Sequence, residues 1–263
     1  MPLKLDNSKR GRLEQALEAL KRYKGRIIDA HAHIGSDHRF LMRAEPERVL
    51  SVYDRCGIRA GLFSSTISLL CGVKEGNQHV LEGAKRHPGR ILPLYSLNPL
   101  EENCLEMLKE LHELFYGVKF HPDYFGIQPS HPLSLSALRQ AADLGLPLML
   151  HSYDGGAEAE RVARELPGLT VVAYHMGGVR WTECLRRLAK LENTLVEISS
   201  SLANPGMVKA AVDELGADRV LFGTDVPYND PAVSLAKVLE ADLSEREREG
   251  ILWRNAERLI GGW

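Results

Sequence analysis

The sequence predicts an α/β fold, a (β/α)8 TIM barrel with an extra N-terminal helix, built as one domain over residues 1–263. Three observations predict it. Eight short apolar runs of strand length recur along the chain. Segments of helical period separate them, so the runs start roughly 23 to 32 residues apart, the room that one βα unit needs. Several runs are also near-continuous in Val, Ile and Leu, as parallel strands buried on both faces require. A doubly wound open sheet is the alternative. It would carry a Gly-rich phosphate turn after its first strand, and "DAHAHIG" is no such turn.

In chain order, residues 8–23 form the extra helix, and the strands follow as "RIIDAH", "RAGLFSS", "RILPLYSL", "YGVKFH", "LPLMLH", "TVVAYH", "TLVEISS" and "RVLFGTD". Helix punctuation is clearest in the last third. Asn204 is placed to cap a helix with Pro205 at its first position, Val208, Ala211, Val212 and Leu215 on one face and Gly216 at its end. Asp230-Pro231 opens another helix in the same way. Ser244 and Glu247 match a capping box ahead of a Leu252, Ala256 and Leu259 stripe.

Composition narrows the function. With 44% hydrophobic and 26% charged residues and a formal net charge of -2, the chain has neither the signature of disorder nor a nucleic-acid footprint. No stretch approaches eighteen consecutive apolar residues and the N-terminus has no signal-peptide core, so a cytoplasmic protein with no membrane partner is expected. Cys56, Cys71, Cys104 and Cys184 are widely spaced without a C-x-x-C and read as reduced, mostly buried thiols. The expected partner is a small molecule.

The chemistry gathers at the strand ends. His31 and His33 close the first run one residue apart, and residues two apart on a strand share a face, so both imidazoles can converge on one point. The fifth run ends in His151, the sixth in His175 and the eighth in Asp225, while the fourth ends in Lys119 and His121. In a barrel all these ends face one mouth, where catalytic residues sit. His38, His79, His87, His112 and His131 fall in loops or helices and read as solvated or capping residues. Imidazoles plus a carboxylate with an open position describe a catalytic site for a divalent metal ion, zinc first, with manganese or iron(II) as alternatives. Such an ion makes hydroxide available at neutral pH and polarises a substrate oxygen.

"DAHAHIG", "GVKFHP", "LMLHS", "VAYHMGG", "LFGTDVPY" and "ILWRNAERLIG" together resemble the amidohydrolase superfamily, in the branch of TIM-barrel metal-dependent hydrolases that also contains aminocarboxymuconate semialdehyde decarboxylase. The resemblance implies that His31, His33, His151 and Asp225 hold the metal. It also implies that Asp225 accepts the proton of the attacking water. His175 would orient that water or act as general acid/base, becoming a ligand if the site is binuclear. Lys119 has three readings: a carboxylated bridge between two metals, as in binuclear members, a cation for a substrate carboxylate, or a buried ion pair with Glu197. Lys119, His121, Tyr153 and Arg180 are the expected substrate-binding residues, Arg180 as a carboxylate grip, with Tyr124 and Tyr228 also near the mouth. Dimers are common in the resembled branch, so a homodimer is an option.

The function expected first is hydrolysis, in which a metal-bound hydroxide attacks an amide, lactone or ester-like bond of a small, anionic substrate. The alternative keeps the site but makes the enzyme a metal-dependent nonoxidative decarboxylase of a small carboxylated substrate. A barrel without chemistry, serving only for binding, conflicts with the complete ligand set. A glycosidase needs paired carboxylates across the scissile bond, and the fourth run offers Lys119 and His121 instead.

Overall fold

A computed structural model describes residue 18 and residues 20–262; residues 18 and 20–23 are helical, and the rest of the N-terminal helix expected over 8–23 lies outside the described residues. The strands are β1 (Ile27–Ile34), β2 (Ile58–Ser65), β3 (Ile91–Pro93), β4 (Tyr95–Ser96), β5 (Val118–Phe120), β6 (Leu148–His151), β7 (Val171–Tyr174), β8 (Thr194–Glu197) and β9 (Val220–Leu221). All the ladders between them are parallel. The third expected strand is divided in two at Leu94, whose N–H donates to Phe63 O at 2.8 Å while Tyr95 N–H donates to Gly117 O at 2.9 Å. The chain thus hands its bonds from β2 to β5 across one residue.

The ring closes through the segment after β9. Its eighth expected strand is regular only over Val220–Leu221, because Phe222–Val226 turns to β1: Ala30 N–H donates to Phe222 O (2.9 Å), Asp225 N–H to His31 O (2.8 Å) and His33 N–H to Val226 O (2.8 Å). Buried Asp29 locks this seam, accepting from the Thr224 N–H at 3.0 Å, the Thr224 hydroxyl and the Tyr53 hydroxyl at 2.7 Å. Burial pushes its carboxyl up to about 7 against those donors.

Eight helices cover the ring among the described residues, each after one expected strand: Pro46–Cys56, Val73–Arg86, Cys104–Leu111, Pro132–Asp143, Ala157–Glu165, Trp181–Leu188, Met207–Leu215 and Pro231–Leu239. The first shows the common logic. Pro46 opens it, Gly57 (φ 73°) ends it, and Val49, Leu50 and Tyr53 face inward. Each such aliphatic side chain, fully buried, contributes roughly 1.5–3 kcal/mol.

Punctuation in the last third held in part. Asp230 caps its helix by accepting from Ala232 N–H, with Pro231 first, and the Ser244/Glu247 capping box is formed. The helix expected from Asn204 instead begins at Met207 after Gly206 (φ 78°), because Asn204 and Pro205 remain in the preceding turn. The Leu252, Ala256 and Leu259 stripe does not run on one regular helix: a π turn at Gly250–Arg254 interrupts it and seats Ile251, Leu252 and Trp253 under the barrel. All four cysteines are free; Cys104 and Cys184 are buried, whereas Cys71 is exposed. No helix among the described residues is long and apolar enough to cross a membrane.

Candidate metal centre

β1 delivers the first two imidazoles to the C-terminal mouth. Their positions follow from hydrogen bonds made by the ring nitrogens that face away from it. His31 Nδ1 lies 3.0 Å from Glu197 Oε2 and 3.1 Å from Ser199 Oγ, and His33 Nδ1 lies 3.0 Å from Ser64 Oγ. A carboxylate behind Nδ1 fixes the proton there and leaves Nε2 as the lone-pair atom. The two Nε2 atoms meet at 3.1 Å, and Asp225 Oδ1 stands 3.4 Å from His31 Nε2 and 3.2 Å from His33 Nε2.

These three atoms form a tight triangle, and the Lys119 ammonium stands 3.3 Å from its His31 Nε2 corner. Ligands about 2.0–2.2 Å from a divalent ion are separated by roughly 3.0–3.5 Å, which matches this triangle. The donor set also fits: two neutral imidazoles and a carboxylate suit zinc and similar ions. Burial lowers the pKa of both imidazoles, keeping them unprotonated and available.

Asp225 and His175 are held in unusual backbone. Both have φ 60°, in the left-handed region that costs a non-glycine residue of order 1 kcal/mol. Asp225 is pinned by its N–H to His31 O (2.8 Å), and Asn229 Nδ2 donates to its Oδ2 at 3.1 Å. Burial works against the Asp225 charge, but the His33 hydrogen-bond contact and nearby Lys119 outweigh it, so its pKa falls below the usual carboxylate range. His175 Nδ1 lies 3.1 Å from the Ser199 carbonyl, an acceptor only, so Nδ1 carries the proton and Nε2 is free. Burial brings His175 down to about 4. Ligating atoms of His31, His175 and Asp225 lie within 4.8 Å of one another.

His151 meets this group from the side. Its Nδ1 is 3.2 Å from His175 Nε2 and its Nε2 is 3.4 Å from Asp123 Oδ2. Burial drives its pKa far down. Lys119 is 2% exposed, with Nζ 3.3 Å from His31 Nε2 and 4.0 Å from the Tyr174 ring centre. Burial pulls its ammonium down to about 7, partly offset by Asp225 and Glu197. The structure does not form the Lys119–Glu197 ion pair: Glu197 is turned to His31 and Ser199 instead.

A cavity of about 530 Å³ opens beside these groups, with His33, His121, His151, His175, Asp123 and Asp225 on its polar wall. Phe40, Leu69, Tyr124, Tyr153 and Tyr228 form the apolar wall. Tyr153 stacks on His151 with centroids 5.1 Å apart. It lies so close to Gly178 (φ 70°) that a side chain there would strike its ring at 2.5 Å. Arg180, expected as a carboxylate grip, is outside this cavity: its guanidinium donates to Asp154 O at 2.6 Å and faces Glu183 at 3.6 Å. Among the described residues, neither Lys119 nor any arginine lines the cavity.

The sequence offered Glu197 only as an ion-pair partner in one of the three readings of Lys119, and Ser64, Ser199 and Asp123 were not singled out. Glu197 and Ser199 close the run "TLVEISS" two residues apart, the same strand-end spacing that drew attention to His31 and His33. Of the remaining histidines, His131 caps the Pro132–Asp143 helix and His112 Nδ1 bonds Lys109 O, in keeping with their expected roles.

The sequence model of the amidohydrolase family matches residues 28–262. No curated protein matches the chain in sequence. Among solved structures, a dihydroxybenzoic acid decarboxylase from Polaromonas sp. JS666 with bound manganese and 2-nitroresorcinol is similar, with 17% identity, 90% of this chain and 97% of that chain covered and a TM-score of 0.72. So are 5-carboxyvanillate decarboxylase LigW from Sphingomonas paucimobilis (14%, 91% and 100% covered, 0.70) and a candidate 2-pyrone-4,6-dicarboxylic acid hydrolase from Pseudomonas putida (19%, 90% and 98%, 0.71). At these identities the likeness establishes the barrel. With the family match spanning nearly the whole chain, this protein belongs to the amidohydrolase family and is a metal-dependent enzyme of the amidohydrolase superfamily.

Proposed function

We propose that the protein is a hydrolase that cleaves an amide, lactone or ester-like bond of a small, flat substrate at a divalent ion held by His31, His33 and Asp225. His151 would supply the next nitrogen. The observation that carries the reading is the triangle of His31 Nε2, His33 Nε2 and Asp225 Oδ1, 3.1 to 3.4 Å on its edges, with a carboxylate behind His31. Zinc suits this nitrogen-rich set, and manganese is the alternative because the Polaromonas relative carries it.

The ion supplies Lewis-acid polarisation of a substrate oxygen and acidifies a water molecule. The chain's own residues do the rest. Asp225, kept ionised, is the carboxylate placed to take the water's proton, with Oδ1 in the ligand triangle and Oδ2 oriented by Asn229. His175, with Nδ1–H tied to the Ser199 carbonyl, presents Nε2 as a second proton acceptor. Phe40, Tyr124, Tyr153 and Tyr228 press on the faces of a planar substrate and exclude water from its ring.

The second reading is decarboxylation of a small aromatic acid. The aromatic wall and the names of the two decarboxylases above favour it. Hydrolysis is preferred because the mouth presents acceptors, Asp225 and His175, rather than a proton donor aimed at a substrate carbon. The test is product analysis on metal-loaded protein offered a panel of aryl esters, lactones and hydroxybenzoates. Acid release without carbon dioxide, abolished by a chelator and by Asp225→Asn, is expected. Carbon dioxide from a hydroxybenzoate without hydrolysis of any ester would establish the second reading instead.

A further inference from the structure

We infer that Lys237, which does not line the cavity, is a positioning residue for the metal centre: it aims the Ser199 peptide at His31 and His175. Its Nζ donates to Ile198 O at 3.2 Å and to Ser200 O at 2.8 Å, so one ammonium grips the carbonyls on either side of Ser199. Ser199 is fully buried and reaches both imidazoles. Its carbonyl stands 3.1 Å from His175 Nδ1, and its hydroxyl lies 3.1 Å from His31 Nδ1 and donates to Glu197 Oε2 at 2.7 Å. Successive carbonyls of a strand-like segment point to opposite sides. Holding the first and third on one cation therefore turns the second toward His175.

The lysine comes from a distant part of the chain. It sits in the Pro231–Leu239 helix, which starts just after the turn of residues 225–229, whereas residues 198–200 follow β8. The contact thus braces the turn that carries Asp225 against the loop that backs His31 and His175. Lysine is an exacting choice for such a brace. Its side chain is half-buried, and burial lowers its pKa while the Glu197 charge opposes that. Both of its bonds go to main-chain carbonyls rather than to a carboxylate. Desolvating a cation for neutral acceptors costs free energy that a methionine in the same place would not spend. What the charge gives in return is direction, since an ammonium with several donors draws both carbonyls to one point.

The inference rests on the metal reading above, so one of its two measurements is independent of metal. Long-range proton–nitrogen NMR spectra of chelator-stripped protein near neutral pH report which ring nitrogen of each histidine carries the proton, His175 being identified by its loss in His175→Gln. The unaltered protein is expected to show His175 protonated at Nδ1. Lys237→Met, which keeps the aliphatic stem, should give a mixture of both tautomers, and Lys237→Arg, which restores the donors, should return most of the Nδ1–H form. In titrations with Mn²⁺, free ion being read by electron paramagnetic resonance, Lys237→Met should bind about tenfold more weakly, the low end of the loss expected for an outer partner of a ligand, and Lys237→Arg should recover most of it. Should Lys237→Met fail to fold, Lys237→Gln, which retains a donor, carries the same two measurements. A Lys237→Met protein that melts lower but keeps both the Nδ1–H signal and the metal affinity would overturn the inference, the lysine then only fastening helix to loop. A tautomer shift in Lys237→Met with no Mn²⁺ bound even by the unaltered protein would remove the metal reading while upholding the hold of Lys237 on His175.

Discussion

Glu197 shows how much one buried side chain can decide. It accepts from Ser199 N–H, the Ser199 hydroxyl and His175 N–H at 3.3 Å while backing His31, so it ties three strand ends together. Burial nevertheless pushes it up to about 8, and a cation at the His31–His33–Asp225 triangle is what would hold it ionised. Glu197→Gln therefore is expected to weaken metal binding roughly 10- to 100-fold without abolishing it, as read by metal titration. His33→Ala removes a ligand outright, and metal and activity should be lost together. An intact metal affinity in Glu197→Gln would show that the His31 tautomer does not depend on it. His31 and His33 were legible from spacing alone. Glu197's partner was not, since a buried acid pairs with whichever group the fold places nearest, and that group is an imidazole rather than Lys119.

At the scale of elements, close approach and charge between neighbours set the geometry. Gly223, just after β9, passes so near Glu197 that a methyl group there would lie 2.1 Å from its Oε1. Gly223→Ala is expected to displace Glu197 and lower metal affinity about tenfold, with a lower melting temperature, although residue 223 touches no ligand directly. On the outside, Glu160 joins two neighbouring helices, accepting from Arg164 at 2.9 Å and from Arg187 at 2.9 Å. The Arg164 and Arg187 hydrogen bonds lower its pKa in the folded state. Its stabilisation is therefore present above the unfolded carboxyl value, about 4.3, and fades as pH falls through the lower folded value. Glu160→Gln should lower the melting point by a few degrees at most at pH 7, since such partly exposed pairs contribute about 1 kcal/mol or less. Thermal melts at pH 7 and pH 3 check this, and an equal loss at both would remove the electrostatic account. Ser244→Ala, which deletes the formed capping box, should cost about 1 kcal/mol at pH 7 and less at pH 3, because the Ser244 hydrogen bonds hold the Glu247 pKa down. Apolar runs and cap residues made most of these elements readable. The break at Leu94, the early turn of Phe222–Val226 and the delayed start at Met207 were not, because each answers to a partner distant in sequence.

For the whole molecule, the closed ring and the helices around it make a single folding unit our expectation. Calorimetry should give one unfolding transition, and two well-separated transitions would refute it. Metal that binds only the folded chain should raise that transition, by about 2.7 kcal/mol of added stability at a hundredfold excess over its dissociation constant, and a chelator should reverse the gain. The sequence by itself determined the alternation of strands and helices, the barrel class, the family and the gathering of His31, His33, His151, His175 and Asp225 at one end. Period, spacing and residue type are local properties that survive in a linear string. Tertiary structure alone decided that Glu197 stands behind His31, that Arg180 is spent on Asp154 outside the cavity, and that His121 and Asp123 come to face His151. Those outcomes depend on which side chains the closed ring brings within 3 to 4 Å, and contacts between strands far apart in the chain leave no periodic trace along it.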